Sequence, residues 1–164
     1  MGEAAQPGQE MFENILAVQL HEAVQLSQPI WVEDESQRIG LVNLPKSFWL
    51  LMRKAPLYFL EIDFEHRLQH IVSGYGKFDK EQLVNAIIRI QKRLGPLETK
   101  TAINHLLENN ITECFRVLLW YYDKHYTKSL NARENLQEVL QKIPCDSIDA
   151  KANAQKLIEI KQPA

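Results

Sequence analysis

The chain has 164 residues, of which 45% are hydrophobic and 24% charged, with a formal net charge of −2; that supports one compact unit with its own core and argues against disorder. No apolar run approaches the roughly 20 residues that cross a bilayer, and the amino terminus MGEAAQPGQE lacks the basic and apolar stretches of a leader, so a cytosolic protein without membrane partners is expected. Cys114 and Cys145 have no Cys or His at metal-ligand spacing, which argues against a zinc site and a disulfide framework.

Taken in chain order, Phe12, Ile15, Leu16, Leu20, Ala23 and Val24 recur at threes and fours, which predicts an amphipathic helix from about Met11 to Leu26. Pro29 follows, and Ile30–Val32 reads as a short buried strand with Glu33 at its carboxyl end. Pro45 suits the first position of a second helix carrying Phe48, Leu51 and Met52 inward, which Ala55-Pro56 ends. Leu57–Ile62 is apolar almost throughout, the pattern of a strand covered on both faces. Asp63 is placed to cap a helix running to about Val72, followed by a Ser73-Gly74-Tyr75-Gly76 loop. The alternation is that of an α/β sheet with crossover helices.

From Lys77 the pattern turns helical. Asp79 with Gln82 has capping-box-like spacing, Leu83, Val84, Ile87, Ile88 and Leu94 form a face, Lys92 and Arg93 occupy the last turn, and Gly95-Pro96 stops it. A third helix (Ile103, Leu106, Leu107) ends at Asn109-Asn110, and a fourth starts at a Thr112 cap. Residues 131–143 fit either a helix or a strand, and a last helix runs from Asp146 or Ser147 to about Ile158.

Several groups of residues have the chemistry of a site. Before Arg38 there are seven acids and no Lys or Arg, and three of the acids, Glu33, Asp34 and Glu35, stand together beside Ser36. Acids at a strand end hold Mg²⁺ beside a phosphate loop in nucleotide-binding α/β proteins, but no GxxxxGK[ST] is present, and on the residues alone a solvated turn or an ion pair with Arg38 is the favoured explanation of the cluster. Arg67 has a planar fork suited to phosphate, or to an ion pair with Glu61, Asp63 or Glu65. His66 and His70 lie one helical turn apart with no third ligand. Between Lys77 and Arg133 ten Lys/Arg stand against six Asp/Glu. In LLWYYDKHYTKS, Lys124, His125 and Lys128 interleave with aromatics, as in proteins that stack bases and bind phosphates; helical spacing sends Tyr122 inward with Leu118 and Leu119 and leaves Tyr121 and Tyr126 at the surface.

Six segments in order, QPGQEMFEN (Gln6 to Asn14), PIWVEDESQRIG (Pro29 to Gly40), LPKSFWLLMRKAP (Leu44 to Pro56), EHRLQHIVSGYG (Glu65 to Gly76), QKRLGP (Gln91 to Pro96) and YDKHYTKS (Tyr122 to Ser129), resemble the C-terminal part of the tRNA 2-selenouridine synthase family. The resemblance implies an incomplete P-loop NTPase-like α/β sheet over residues 1–76, a helical region over 77–130, and a C-terminal element over 131–164 returning to the α/β layer. It implies a transferase that replaces the sulfur of 2-thiouridine at the tRNA wobble position with selenium from selenophosphate, through a geranylated intermediate made from geranyl diphosphate. The rhodanese domain with the family's catalytic cysteine and the phosphate loop have no counterpart in this sequence, so neither Cys114 nor Cys145 inherits that role, and a piece inactive by itself is expected. Glu33, Asp34, Glu35, Ser36, Arg38 and Arg67 are then candidates for diphosphate with Mg²⁺, and Lys92, Arg93, Tyr121, Lys124, Tyr126 and Lys128 for the tRNA anticodon region, with the Tyr122-Asp123-Tyr126 segment also matching the family. The rival readings are a non-catalytic helical interaction module, to which the missing portion comes as a separate partner, and a small-molecule kinase relative.

Overall fold

Among residues 5–26, 29–34 and 36–160, which the computed structural model describes, the first element is helix α1 (Gln9–Gln25), where the apolar period predicts it. None of its residues is buried. The chain divides into two compact units, residues 1–57 and 58–164.

In the first unit, β1 (Arg38–Ile39) and β2 (Val42–Asn43) form an antiparallel hairpin in which Arg38 faces Asn43 and Ile39 faces Val42. Gly40 has φ +61°, the positive value that the first central position of such a two-residue turn demands. Two glutamines hold the hairpin from the side. Gln6 Nε2 donates to the Ile39 carbonyl (2.8 Å) and its Oε1 accepts from the Leu41 N–H (2.8 Å). Gln9 does the same to Asn43, donating to the carbonyl and accepting from the N–H, both at 2.8 Å. Each primary amide pairs with backbone as a peptide group of an adjoining strand would. Helix α2 (Lys46–Lys54) follows, with Pro45 at its N-cap rather than its first turn.

The buried strand expected at Ile30–Val32 does not form. The segment carries no strand assignment, and Ile30, Trp31 and Val32 are 43%, 46% and 50% exposed. Three apolar residues cannot satisfy their backbone groups with one another, and this segment joins neither sheet formed among the described residues. Pairing passes instead to the residues flanking Gly40.

In the second unit, β3 (Leu57–Ile62), whose first residue closes the first unit, pairs with β4 (Leu140–Cys145). A two-stranded sheet cannot cover β3 on both faces, and its residues are half-buried rather than enclosed, apart from exposed Glu61. Asp63 caps α3 (Phe64–Tyr75), its Oδ1 accepting from the N–H groups of Glu65 and His66. The helix runs through Ser73 and Gly74 to Tyr75, so the expected loop there is helical. Asp79 caps α4 (Lys80–Leu94). Gly95, at φ +97°, turns the chain so that Pro96 opens α5 (Pro96–Leu107). The next helix, α6 (Ile111–Asn131), begins without a Thr112 cap. Residues 131–143 resolve into one helical turn, α7 (Leu136–Val139), leading into β4, and α8 (Ala150–Glu159) closes the fold under an Asp149 cap.

The core of this unit lies between helices. Ile87, Leu94, Ala102, Leu106 and Cys114 join α4, α5 and α6, while Leu68, Phe115 and Leu119 join α3 to α6. Among the described residues the α/β alternation is therefore realised as mainly helical structure with two small two-stranded sheets.

Two glycines give opposite expectations. A Cβ at Gly40 would lie 2.6 Å from Gln6 Oε1 at a positive φ, so Gly40→Ala should lower stability by about 1–2 kcal/mol. Gly74 is exposed within α3 and its Cβ would meet nothing within 4 Å, so Gly74→Ala should raise stability by about 0.5–1 kcal/mol. Urea unfolding of the two variants checks both signs.

Candidate functional site

Arg67 sits in the second turn of α3, just past the carboxyl end of β3. Its Nη1 and Nη2 donate to Asp123 Oδ1 and Oδ2 at 2.7 and 2.8 Å, and its Nε donates to the Ile62 carbonyl at 3.2 Å. The fork the sequence offers to a phosphate is thus occupied by a carboxylate 56 residues away, and not by Glu61, Asp63 or Glu65. Bidentate hydrogen bonding to Asp123 raises the Arg67 pKa further. Phe64 packs under two guanidinium groups, Arg67 at 5.7 Å and Arg116 at 5.8 Å from its ring centroid. Arg116 is itself held by Glu65 and Glu113, which raises its pKa and lowers that of Glu65.

Asp123 brings the Tyr122-Asp123-Tyr126 segment to the same place. Tyr126 is half-buried, 6.0 Å from the Phe59 ring of β3 and stacked 6.2 Å from Tyr122. This corrects the predicted facing of the tyrosines. Tyr122 is 61% exposed, whereas Tyr121 packs on the α4–α5–α6 core and lies 4.4 Å from the His125 ring. Trp120, absent from the sequence-derived candidates, is 62% exposed. The Lys124 ammonium lies 5.8 Å from its ring centroid. Lys124 and Lys128 are exposed and form no ion pair among the described residues. Lys92 and Arg93 lie on another helix, in the last turn of α4. Lys92 lines a pocket of about 650 Å³ with Gly95, Thr99, Lys100 and Asn104.

The acidic motif belongs to the first unit. Glu33 is exposed and Asp34 half-buried, on a segment that is not a strand; Glu35 lies outside the described residues. Ser36 Oγ donates to the Arg38 carbonyl at 2.7 Å, and Arg38 Nε donates to the Gly40 carbonyl at 3.1 Å. Arg38 is thus turned onto the hairpin, with no ion pair to Glu33 or Asp34 among the described residues. Glu33 stands at the lip of a groove of about 470 Å³, otherwise lined mainly by apolar side chains, among them Phe12 and Leu16 of α1, Trp31, Phe48 and Met52. No three His, Cys, Asp or Glu side chains converge on a cation position among the described residues, and no helix there is long and apolar enough to cross a membrane.

Residues 2–154 match the family described as the tRNA 2-selenouridine synthase AAA domain. The chain is 34% identical over 110 residues to the tRNA 2-selenouridine synthase of Pseudomonas syringae pv. tomato, a match covering 55% of this chain and 30% of that protein. It is 33% identical over 129 residues to the tRNA 2-selenouridine synthase of Nitrosomonas eutropha, covering 77% and 30%, and 31% identical over 112 residues to that of Nitrosomonas europaea, covering 67% and 28%. The chain therefore spans about 30% of the length of the curated relatives it matches. No solved structure matches.

Two measurements probe this geometry. A double-mutant cycle of Arg67→Ala and Asp123→Ala should return a coupling of about 1 kcal/mol, above that of a wholly exposed pair because the fork is bidentate and about two-thirds shielded. Burial pushes the Cys114 thiol up to about 11, so iodoacetamide at pH 8 should leave it unmodified in the folded protein and label it in urea. The unfolded thiol ionises first, near 8.5, so this group's stabilisation is complete below that pH and lost as pH rises toward about 11. Unfolding of Cys114→Ala should show a shallower loss over that window.

Proposed function

The chain belongs to the tRNA 2-selenouridine synthase AAA-domain family, and we propose that it supplies tRNA and prenyl-diphosphate binding to such a transferase. In this reading wobble 2-thiouridine becomes 2-selenouridine through a geranylated intermediate, with selenophosphate as selenium donor, and the chain is inactive by itself. The catalytic cysteine and the phosphate loop come from other sequence.

The observation that carries the RNA part is the exposed side of α6 that holds Trp120, Lys124 and Lys128, the two lysines forming no ion pair among the described residues. Unpaired bases stack on aromatic rings while cations meet the phosphates. Lys92 and Arg93 add positive charge at the carboxyl end of α4, and both acids of α6 are already engaged, Asp123 by Arg67 and Glu113 by Arg116.

The groove beside Glu33 supports the prenyl part. Its volume of about 470 Å³ falls within the range of small-molecule clefts, roughly 300–1,000 Å³, and its apolar lining suits a hydrocarbon chain. Arg38 and Arg67 were both candidates for the diphosphate; Arg38 lies on the hairpin beside this groove, whereas Arg67 is committed to Asp123. Glu33 and Asp34 offer two carboxylates, a set that Mg²⁺ accepts when phosphate oxygens and water complete its octahedron, so the diphosphate itself would have to bring the remaining ligands. The alternative, a non-catalytic helical interaction module, draws on the exposure of Met11, Val18 and Val24 along α1.

Both parts are testable on the full chain. Gel shifts with tRNA should weaken steeply with salt, and Lys92→Glu, Arg93→Glu, Lys124→Glu or Lys128→Glu should each lower the slope of log affinity against log salt by about 1. Absence of binding at low salt refutes the RNA part. Geranyl diphosphate should shift tryptophan emission saturably where inorganic pyrophosphate does not, and Phe12→Glu, which places a charge in the groove, should abolish the response; an unchanged spectrum removes the prenyl part.

A further inference from the structure

We propose that Trp120 is a stacking platform for one unpaired base of the bound RNA, with Lys124 and Lys128 meeting the phosphates that lead away from that base toward the carboxyl end of α6. The inference rests on the RNA reading above and adds to it a specific residue and a mode of contact.

The indole is not part of the core. Its sequence neighbours Leu119 and Tyr121 are turned onto the two helical clusters, while Trp120 keeps 62% of its surface in water. An indole left in water offers a partner a large flat apolar face with a polar N–H at its edge. Among the described residues no other ring stacks on it, which distinguishes it from Tyr122, whose ring lies against Tyr126.

Charge favours RNA as the partner over an apolar protein face. Lys124, one helical turn on, brings its ammonium to 5.8 Å from the indole centroid, a contact that steadies the ring while leaving the charge exposed. Residues 120, 124 and 128 follow one another at a spacing of four, about 6 Å of rise per step, so aromatic and cations form one stripe along α6. Arg116, one turn earlier, is neutralised by Glu65 and Glu113. The positive field therefore sits on the carboxyl side of Trp120. A hydrophobic protein partner would have to desolvate two lysines that form no ion pair among the described residues; a polyanion needs no such compensation.

The test compares two RNAs: a labelled anticodon stem-loop with an intact seven-base loop, about the length of stretch such surfaces engage, and the same RNA with abasic loop positions. Binding of the full chain is followed by anisotropy, together with sedimentation and thermal unfolding. Trp120→Ala should weaken the intact loop about 10-fold and leave the abasic loop unchanged, since the lost contact is to a base. Trp120→Phe should restore most of the affinity, and the salt slope should fall for Lys124→Glu but not for Trp120→Ala. Equal loss on both RNAs overturns stacking, as does an unaltered affinity for Trp120→Ala when the lysine reversals do weaken binding; in that second case the RNA reading survives. If the stem-loop does not bind at low salt, the RNA reading falls and takes the platform with it. A change of oligomeric state in Trp120→Ala with RNA affinity intact would make this face a protein interface and overturn the proposal. Trp120→Tyr serves as the second variant should the alanine substitution unfold the chain.

Discussion

Three elements of the helical unit meet at one guanidinium. Arg67 reaches back to the last carbonyl of β3 and across to Asp123 in the middle of α6, so the strand, the helix it leads into and the longest helix are tied at a single planar group. The pair is about one-third exposed. At that depth its worth lies less in net stabilisation than in geometry, because a bidentate fork tolerates one relative orientation of its partners. Turning Asp123 toward Arg67 sets the rotation of α6 about its own axis. Phe115 and Leu119 then face α3, Tyr126 faces Phe59, and Trp120 and Lys124 face water.

The two units are stabilised by different means. The helical unit closes over Leu68, Ala102, Leu106 and Cys114, which are almost wholly excluded from water, and its capped helices place their acids where the helix dipole favours them. Among the described residues of the first unit, Val42 and Leu44 alone are buried. There, hydrogen bonds of known direction take the place of packing, with Gln6 and Gln9 holding a hairpin too short to persist without them.

What the sequence revealed followed from periodicity and caps. The helices α1, α2, α4 and α5, the β3 strand, and the Asp63 and Asp79 caps all depend on residues close in the chain, where spacing is the physical determinant; the inward facing did not follow as far, since Ile15, Val24, Leu51, Ile88 and Leu107 are exposed. The failures were of two kinds. Ile30–Val32 is as apolar as a strand but joins neither sheet among the described residues, an outcome composition does not report. The tyrosines of α6 were assigned by a single apolar stripe, yet this helix packs on α3 along one side and on α5 along another. Its buried arc is wider than one stripe, enough to draw Tyr121 in and leave Tyr122 out. Trp120 was overlooked for a related reason: an aromatic inside a periodic run is counted as core by default. The Arg67 partner was not legible at all, because a contact across 56 residues leaves no local trace.

The glutamines at the edge of the hairpin make a different kind of demand on heredity. At positions 6 and 9 the amide must present a donor to one backbone carbonyl and an acceptor to one backbone N–H. Glutamate has the same size and shape, and a single nucleotide change reaches it, but it would set a carboxylate oxygen against a carbonyl. Selection at these two sites therefore acts on the polarity of the side chain rather than on its volume. It also links the start of the chain to a turn more than thirty residues away, so that neither stretch is free to drift alone.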